Sequence, residues 1–161
     1  MDEKLRNVRD YFAELYVAGM LADAGWNIYF PHRDMGIDFI ISKTVSSITV
    51  IRAVQVKGKY LSRNKTNKQA YGFVGKLKQR HLEMVLAIPY FSTSAKSSPP
   101  VCVAYMPFSQ IRKQRSKGFA CQPASFKNGA PEPRRDFRHF FDKVGIEALE
   151  SEDWKDTAVQ G

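Results

Sequence analysis

Asp38 is followed, after sixteen intervening residues, by Gln55-Val56-Lys57. Both segments read as strands, so one hairpin would bring a carboxylate, a carboxamide and an amine to one spot. Side chains alternate with period two along a strand, which puts Gln55 and Lys57 on a common face. An ionised Asp and a Lys beside so much Ile and Val cost stability unless they are paired or bound to an ion, so the trio reads as a site. The same residues also have a plain structural reading, in which Asp38 caps a turn and Lys57 is an exposed strand-end lysine.

The elements that must position this trio are two β-branched runs, Gly36 to Ile41 and Ser47 to Lys57, joined by the turn-tolerant stretch from Ser42 to Ser47. Ahead of them, Leu5, Val8, Phe12, Leu15, Gly19 and Ala22 recur at helical spacing and predict an amphipathic helix from about Asp2 to Asp23, ended by Ala24-Gly25. Glu14 has Tyr11, Val17, Ala18 and Leu21 among its neighbours on that helix, so its carboxylate borders the core. Trp26 to Pro31 predicts a short strand. Gly58 to Lys68 reads as an exposed loop, and Ala70 to His81 is ambiguous between strand and helical turn.

Further along, Met84 to Phe91 and Val101 to Met106 predict two buried strands. A short helix is expected over Phe108 to Gln114, irregular chain over Ser116 to Arg135 and a last helix over Phe137 to Leu149. One domain is expected over residues 1–149, with 150–161 a flexible acidic tail.

The chain of 161 residues carries a formal charge of +9, and the charge is unevenly placed. From Phe39 to Pro131 the only acid is Glu83, against sixteen lysines and arginines. Such a surface attracts polyanions, nucleic acid above all, with a generally solubilising surface or anionic lipid as the alternatives. No stretch approaches the roughly 20 apolar residues of a membrane span, and the N-terminus lacks the apolar core of a signal peptide. A cytoplasmic, intracellular protein that does not enter a membrane is therefore expected. Cys102 and Cys121 have no metal-ligand spacing and suggest neither a zinc site nor a disulfide framework. His32, His81 and His139 are scattered and receive no catalytic role.

A helix carrying Glu14, a strand with Gly36-Ile37-Asp38 and a strand ending in Val54-Gln55-Val56-Lys57-Gly58 together resemble the PD-(D/E)XK nuclease superfamily. The likeness covers roughly Leu5 to Lys57, and more weakly the strands to Met106, and looks like the Gln-containing branch found among some homing endonucleases and other small nucleases. Archaeal Holliday-junction resolvases are similar in architecture. It implies an α/β fold with a restriction-endonuclease-like αβββαβ core on a mixed central sheet, and a Mg²⁺-dependent deoxyribonuclease in which Mn²⁺ can substitute. On this likeness Asp38 is the principal metal ligand, and the Gln55 side-chain oxygen and the Val56 carbonyl complete the protein's share. Glu14 then holds a ligand water or second ion, while Lys57 orients the attacking water. Gln55 and Ile37 depart from the usual acid and proline of the pattern, and the amide brings no charge to the metal.

DNA would lie along Lys59, Arg63, Lys65, Lys68, Lys76, Lys78 and Arg80, a run with no opposing acid that begins beside Lys57. Arg112, Lys113, Arg115 and Lys117 form a second basic cluster that would extend the footprint. A homodimer would supply two sites for the two strands of a duplex. Two rival readings stay open: a nucleic-acid-binding module that keeps the fold but hydrolyses little, and an RNA-processing nuclease.

Overall fold

The computed structural model describes residues 3–33, 35–60, 77, 81–92, 98–114 and 118–157. Helix α1 (Glu3–Asp23) opens the chain. It closes in a Schellman turn: the Trp26 N–H reaches the Leu21 carbonyl at 3.1 Å and the Gly25 N–H the Ala22 carbonyl at 3.0 Å. That turn needs the positive φ of Gly25, 88°.

Strands β1 (Asn27–Tyr29), β2 (Phe39–Val45) and β3 (Ile48–Val56) follow as an antiparallel meander. Strands β4 (Lys59–Tyr60) and β5 (Met84–Phe91) come next, β5 running parallel to both β3 and β4. Strand β6 (Cys102–Pro107) pairs antiparallel with β5 on its other side. The result is a six-stranded sheet of mixed orientation in a mixed α/β protein.

Ala53 pairs with Met84, Val56 with Ala87, Lys59 with Tyr90 and Tyr60 with Phe91. The offset is constant, so β4 continues β3 after Lys57-Gly58. Even-numbered residues of this line (Val54, Val56, Tyr60) share one face with Val85, Ala87 and Phe91, and Gln55 and Lys59 share the other with Leu86 and Tyr90.

Helix α1 covers the first face: Phe12 lies 6.3 Å from Phe91, and the Arg9 guanidinium sits 4.6 Å over the Tyr60 ring, itself stacked on Phe91 at 4.5 Å. The row that α1 buries is Arg9, Ala13, Val17 and Leu21, with Ala18 beside it. This corrects the expected face, since Leu15 is 43% exposed and Gly19 and Ala22 are exposed too. Small alanines let the helix approach the sheet, and Arg9 is buried because its guanidinium is spread over aromatic rings.

Past β6, a 3₁₀ turn (Phe108–Gln110) leads to hairpin β7 (Arg112–Gln114) and β8 (Gly118–Ala120), then to hairpin β9 (Ala124–Lys127) and β10 (Ala130–Pro133). Two short hairpins thus stand where a helix and irregular chain were expected. The second hairpin covers the other sheet face, with Phe126 and Tyr90 6.1 Å apart. A 3₁₀ segment (Arg135–Phe140) and helix α2 (Asp142–Ala148) divide what was expected as one last helix.

Residues 150–157 do not form the loose tail expected of them. Trp154 is fully buried and donates its Nε1–H to the Met84 carbonyl at 3.2 Å. Arg52 ion-pairs with Glu83 and donates to the Ser151 carbonyl at 2.7 Å, and Lys43 pairs with Glu150. Burying one indole and answering two cations outweighs the acidity of the segment. Residues 158–161 lie outside the described residues. Among the described residues no helix is long and apolar enough to cross a membrane.

Candidate metal and nucleic-acid site at the end of β2

The β2–β3 hairpin closes in a two-residue turn at Ser46-Ser47, both with positive φ, 48° and 71°. Strand pairing therefore reaches Val45 and Ile48, and the turn-tolerant stretch expected from Ser42 to Ser47 shrinks to that turn. The tight turn fixes the register at Phe39 against Val54. The regular register ends there, and Asp38 is the next residue toward the N-terminus.

Asp38 lies just before β2 rather than inside it. The chain reaches it through Gly36, whose φ of 82° only glycine adopts without strain. The Asp38 N–H donates to the Val54 carbonyl at 2.9 Å, the last rung between the two strands. Beyond it β3 runs on toward Val56 paired with β5 but no longer with β2, and the Val56 N–H is taken by Asp38 Oδ2 at 2.6 Å. The carboxylate thus stands in for the backbone acceptor that a longer β2 would have supplied.

The Lys57 N–H donates to the Ala87 carbonyl of β5 at 2.9 Å, so odd-numbered backbone groups here turn to β5 and even-numbered ones to β2. The Val56 carbonyl consequently faces the same gap as the Asp38 carboxylate. Gln55 and Lys57 project from the second face beside it. The Asp38 carboxylate and the Val56 backbone are therefore brought together, with Gln55 and Lys57 the residues on either side of Val56 in the chain.

Gln55 is only 4% exposed, and its Oε1 is buried with no hydrogen-bond partner among the described residues. An unanswered buried carbonyl costs about 1–3 kcal/mol, which makes this atom a natural place for a ligand to be satisfied. Lys57 and Lys59 are neighbours in charge as well as sequence. Burial first, and then the Lys57 ammonium, lower the Lys59 pKa. Two cations held at close quarters favour an anion above them.

Glu14 is partly buried on α1, against the first face, whereas Gln55 and Lys57 project from the second. The structure thus places α1, which carries Glu14, on the sheet face opposite Gln55. Among the described residues no group of three or more His, Cys, Asp or Glu side chains gathers. The oxygen set at the gap is one carboxylate with neutral oxygens. Of the predicted DNA-binding run, Lys59 is described and half-buried, while Arg63, Lys65, Lys68, Lys76, Lys78 and Arg80 lie outside the described residues.

Sequence reasoning missed the bond from the Val56 N–H to the Asp38 carboxylate. Its signal was the acid placed at the junction between Gly36-Ile37 and an unbroken apolar run. It also missed Arg9, whose burial over Tyr60 ties α1 to the end of the β3–β4 line; the Tyr60 hydroxyl donates to the Arg9 carbonyl at 3.1 Å. Neither a scan against models of known protein families nor a search of curated proteins finds a match to this chain.

Proposed function

We propose that this protein is a metal-dependent DNA endonuclease that hydrolyses phosphodiester bonds at the Asp38–Val56 gap. The observation that carries the reading is the 2.6 Å contact between Asp38 Oδ2 and the Val56 N–H, because it fixes the acid at the backbone of Val56, the residue between Gln55 and Lys57. The order of helix, three antiparallel strands and a further strand parallel to the third supports a restriction-endonuclease-like core. A parallel pair needs a crossover between its strands, and here residues 57–83 supply it.

The donors at the gap are all oxygens, which suits a hard divalent cation such as Mg²⁺, with Mn²⁺ as a substitute. Asp38 Oδ, the Val56 carbonyl and Gln55 Oε1 would hold it; Gln55 Oε1 fits that role because it is buried and unanswered. Such an ion would supply an activated water and charge neutralisation on the phosphate. The protein's own residues do the rest. Lys57 orients the attacking water and offsets charge growing on the phosphoryl oxygens. Lys59 holds an adjacent phosphate of the strand. Glu14 contributes only as a negative charge on the helix side of the gap.

One second reading has an observation in its favour. The burial of Gln55 limits how readily its oxygen meets an ion, which suits a nucleic-acid-binding module with little hydrolysis. A supercoiled-plasmid nicking assay in Mg²⁺, Mn²⁺ or EDTA, run with Lys57→Ala and alongside a DNA-binding measurement, separates the two. Metal-dependent nicking lost in EDTA and in Lys57→Ala supports the nuclease. Tight binding with no metal-dependent cut supports the module instead. RNA and four-way-junction substrates in parallel define the polynucleotide.

A further inference from the structure

A second feature, remote from the Asp38 gap, is a cavity of about 260 Å³ lined by Gln110, Arg112, Cys121, Gln122, Arg134 and Phe137, together with Ala120. Its walls come from β7, β8, the turn that follows β8 and the 3₁₀ segment before α2. Two guanidinium groups line it and no carboxylate does. Neither arginine forms an ion pair with an acid among the described residues, and Glu132, the nearest acid of β10, is bonded to Lys127 at 2.9 Å. Asp136 follows Arg134 closely in sequence but is exposed and not part of the lining.

The two arginines are held differently. Arg134 is fixed: Nη1 donates to the Gln122 carbonyl at 2.9 Å, and the guanidinium lies 5.1 Å over the Phe137 ring. Arg112 is exposed on β7, and its charge reaches the Cys121 thiol at the cavity wall, where it opposes the effect of burial. Two exposed arginines, one bonded to a backbone carbonyl and lying over an aromatic ring, share the lining with two amide side chains and form a pocket suited to both a phosphate and a planar ring. The volume lies just below that of pockets for drug-sized ligands, about 300–1,000 Å³. It is generous for a bare ion.

We infer that this cavity is a binding site for one phosphorylated nucleoside, with Arg112 on the phosphate and the Arg134–Phe137 pair against the base. The site does not depend on the nuclease reading, since it shares no residue with the Asp38 gap. It does lie on the same side of the sheet as Gln55 and Lys59. The hairpin β9–β10 that follows Cys121 packs on that face, Phe126 lying 6.1 Å from Tyr90, and Tyr90 is the strand partner of Lys59. A nucleotide held here, either free or as one unit of a strand, would therefore sit on the lysine-bearing face.

The test is an amide-shift titration of the ¹⁵N-labelled full chain with thymidine 5′-monophosphate, thymidine, inorganic phosphate and a thymidylate pentamer. The monophosphate is expected to move the Cys121, Gln122 and Arg134 amides, with thymidine and phosphate at least tenfold weaker. Arg112→Gln, an exposed position, should weaken the monophosphate at least tenfold while leaving the rest of the spectrum unchanged. Movement of the same amides by the pentamer assigns the site to a strand; movement by the monophosphate alone assigns it to a free nucleotide. No movement with either, thymidine or phosphate binding as tightly as the monophosphate, or an unaltered Arg112→Gln titration would overturn the inference. Lys57→Ala run in the same titration should bind as the parent does, so loss of nicking and loss of this pocket are read separately.

Discussion

Replacing Asp38 by Asn and by Ala separates what the carboxylate does for the fold from what it does for chemistry. The Val56 N–H that it accepts belongs to a residue only 6% exposed. Alanine leaves that donor without its partner, which costs about 1–3 kcal/mol. For a chain of 161 residues, where each kcal/mol moves Tm by about 2–4 °C, the melting temperature should fall by roughly 2–12 °C. Asparagine keeps an acceptor oxygen in the same place but gives up the charge, and neutral hydrogen bonds are roughly half as strong as charged ones. Its cost should stay below about 1 kcal/mol. Urea denaturation with a common m-value reads both. In the nicking assay the order differs: Asn and Ala should both lose metal-dependent cleavage by at least 10²-fold, because neither offers an anionic ligand. An Asn variant that cuts as fast as the parent would refute the metal role. An Ala variant as stable as the parent would refute the structural one.

Other outcomes follow from the same geometry. Trp154→Ala removes a fully buried indole and its bond to Met84, so it should cost about 3–5 kcal/mol, or roughly 6–20 °C in Tm; a change near zero would mean that residues 150–157 do not dock. Ser46→Asn with Ser47→Gly puts residues suited to positive φ into the β2–β3 turn and should raise stability by about 1 kcal/mol; no gain by thermal melting would contradict the assigned turn. Burial pushes the Cys102 and Cys121 thiols up to about 12, with Asp142 adding to Cys102 and Arg112 opposing at Cys121. Both should resist a thiol-reactive dye at pH 8 until denaturant is added. Because their folded values lie above the unfolded value of about 8.5, the stability they contribute is complete below that pH and is lost as pH rises toward about 12. A Cys102→Ala/Cys121→Ala protein should therefore lose stability less steeply over that window, and an equal slope would contradict the burial of the thiols.

The elements around the gap were legible because they are written in local signals. Val and Ile runs marked β3 and β5, three- and four-residue spacing marked α1, and Gly25 marked its end. Their pairing set Phe39 against Val54, and just before β2 the Asp38 carboxylate meets the Val56 N–H. What stayed hidden depends on tertiary contacts. The buried row of α1 was misplaced because hydropathy ranks Leu15 above Arg9, yet Arg9 is covered by Tyr60 and Phe91. The hairpins β7–β8 and β9–β10 are short, and the Pro and Gly residues that suggested irregular chain occupy their turns and edges. The docking of Trp154 was masked by the acids around it, of which Glu150 is answered by Lys43 of β2, while Lys155 beside the indole reaches Glu83 at 3.8 Å. Glu14 was placed correctly at the border of the core. Which sheet face it would approach depended on the packing of α1, and no local pattern encodes that.

Anomalous diffraction from a crystal soaked in Mn²⁺ tests the metal site most directly. The account requires a single peak in the gap beyond Phe39, within coordinating distance of the Asp38 carboxylate and the Val56 carbonyl, and no peak there in an Asp38→Asn crystal. Manganese absent from that gap, or bound there equally well without the carboxylate, would contradict it.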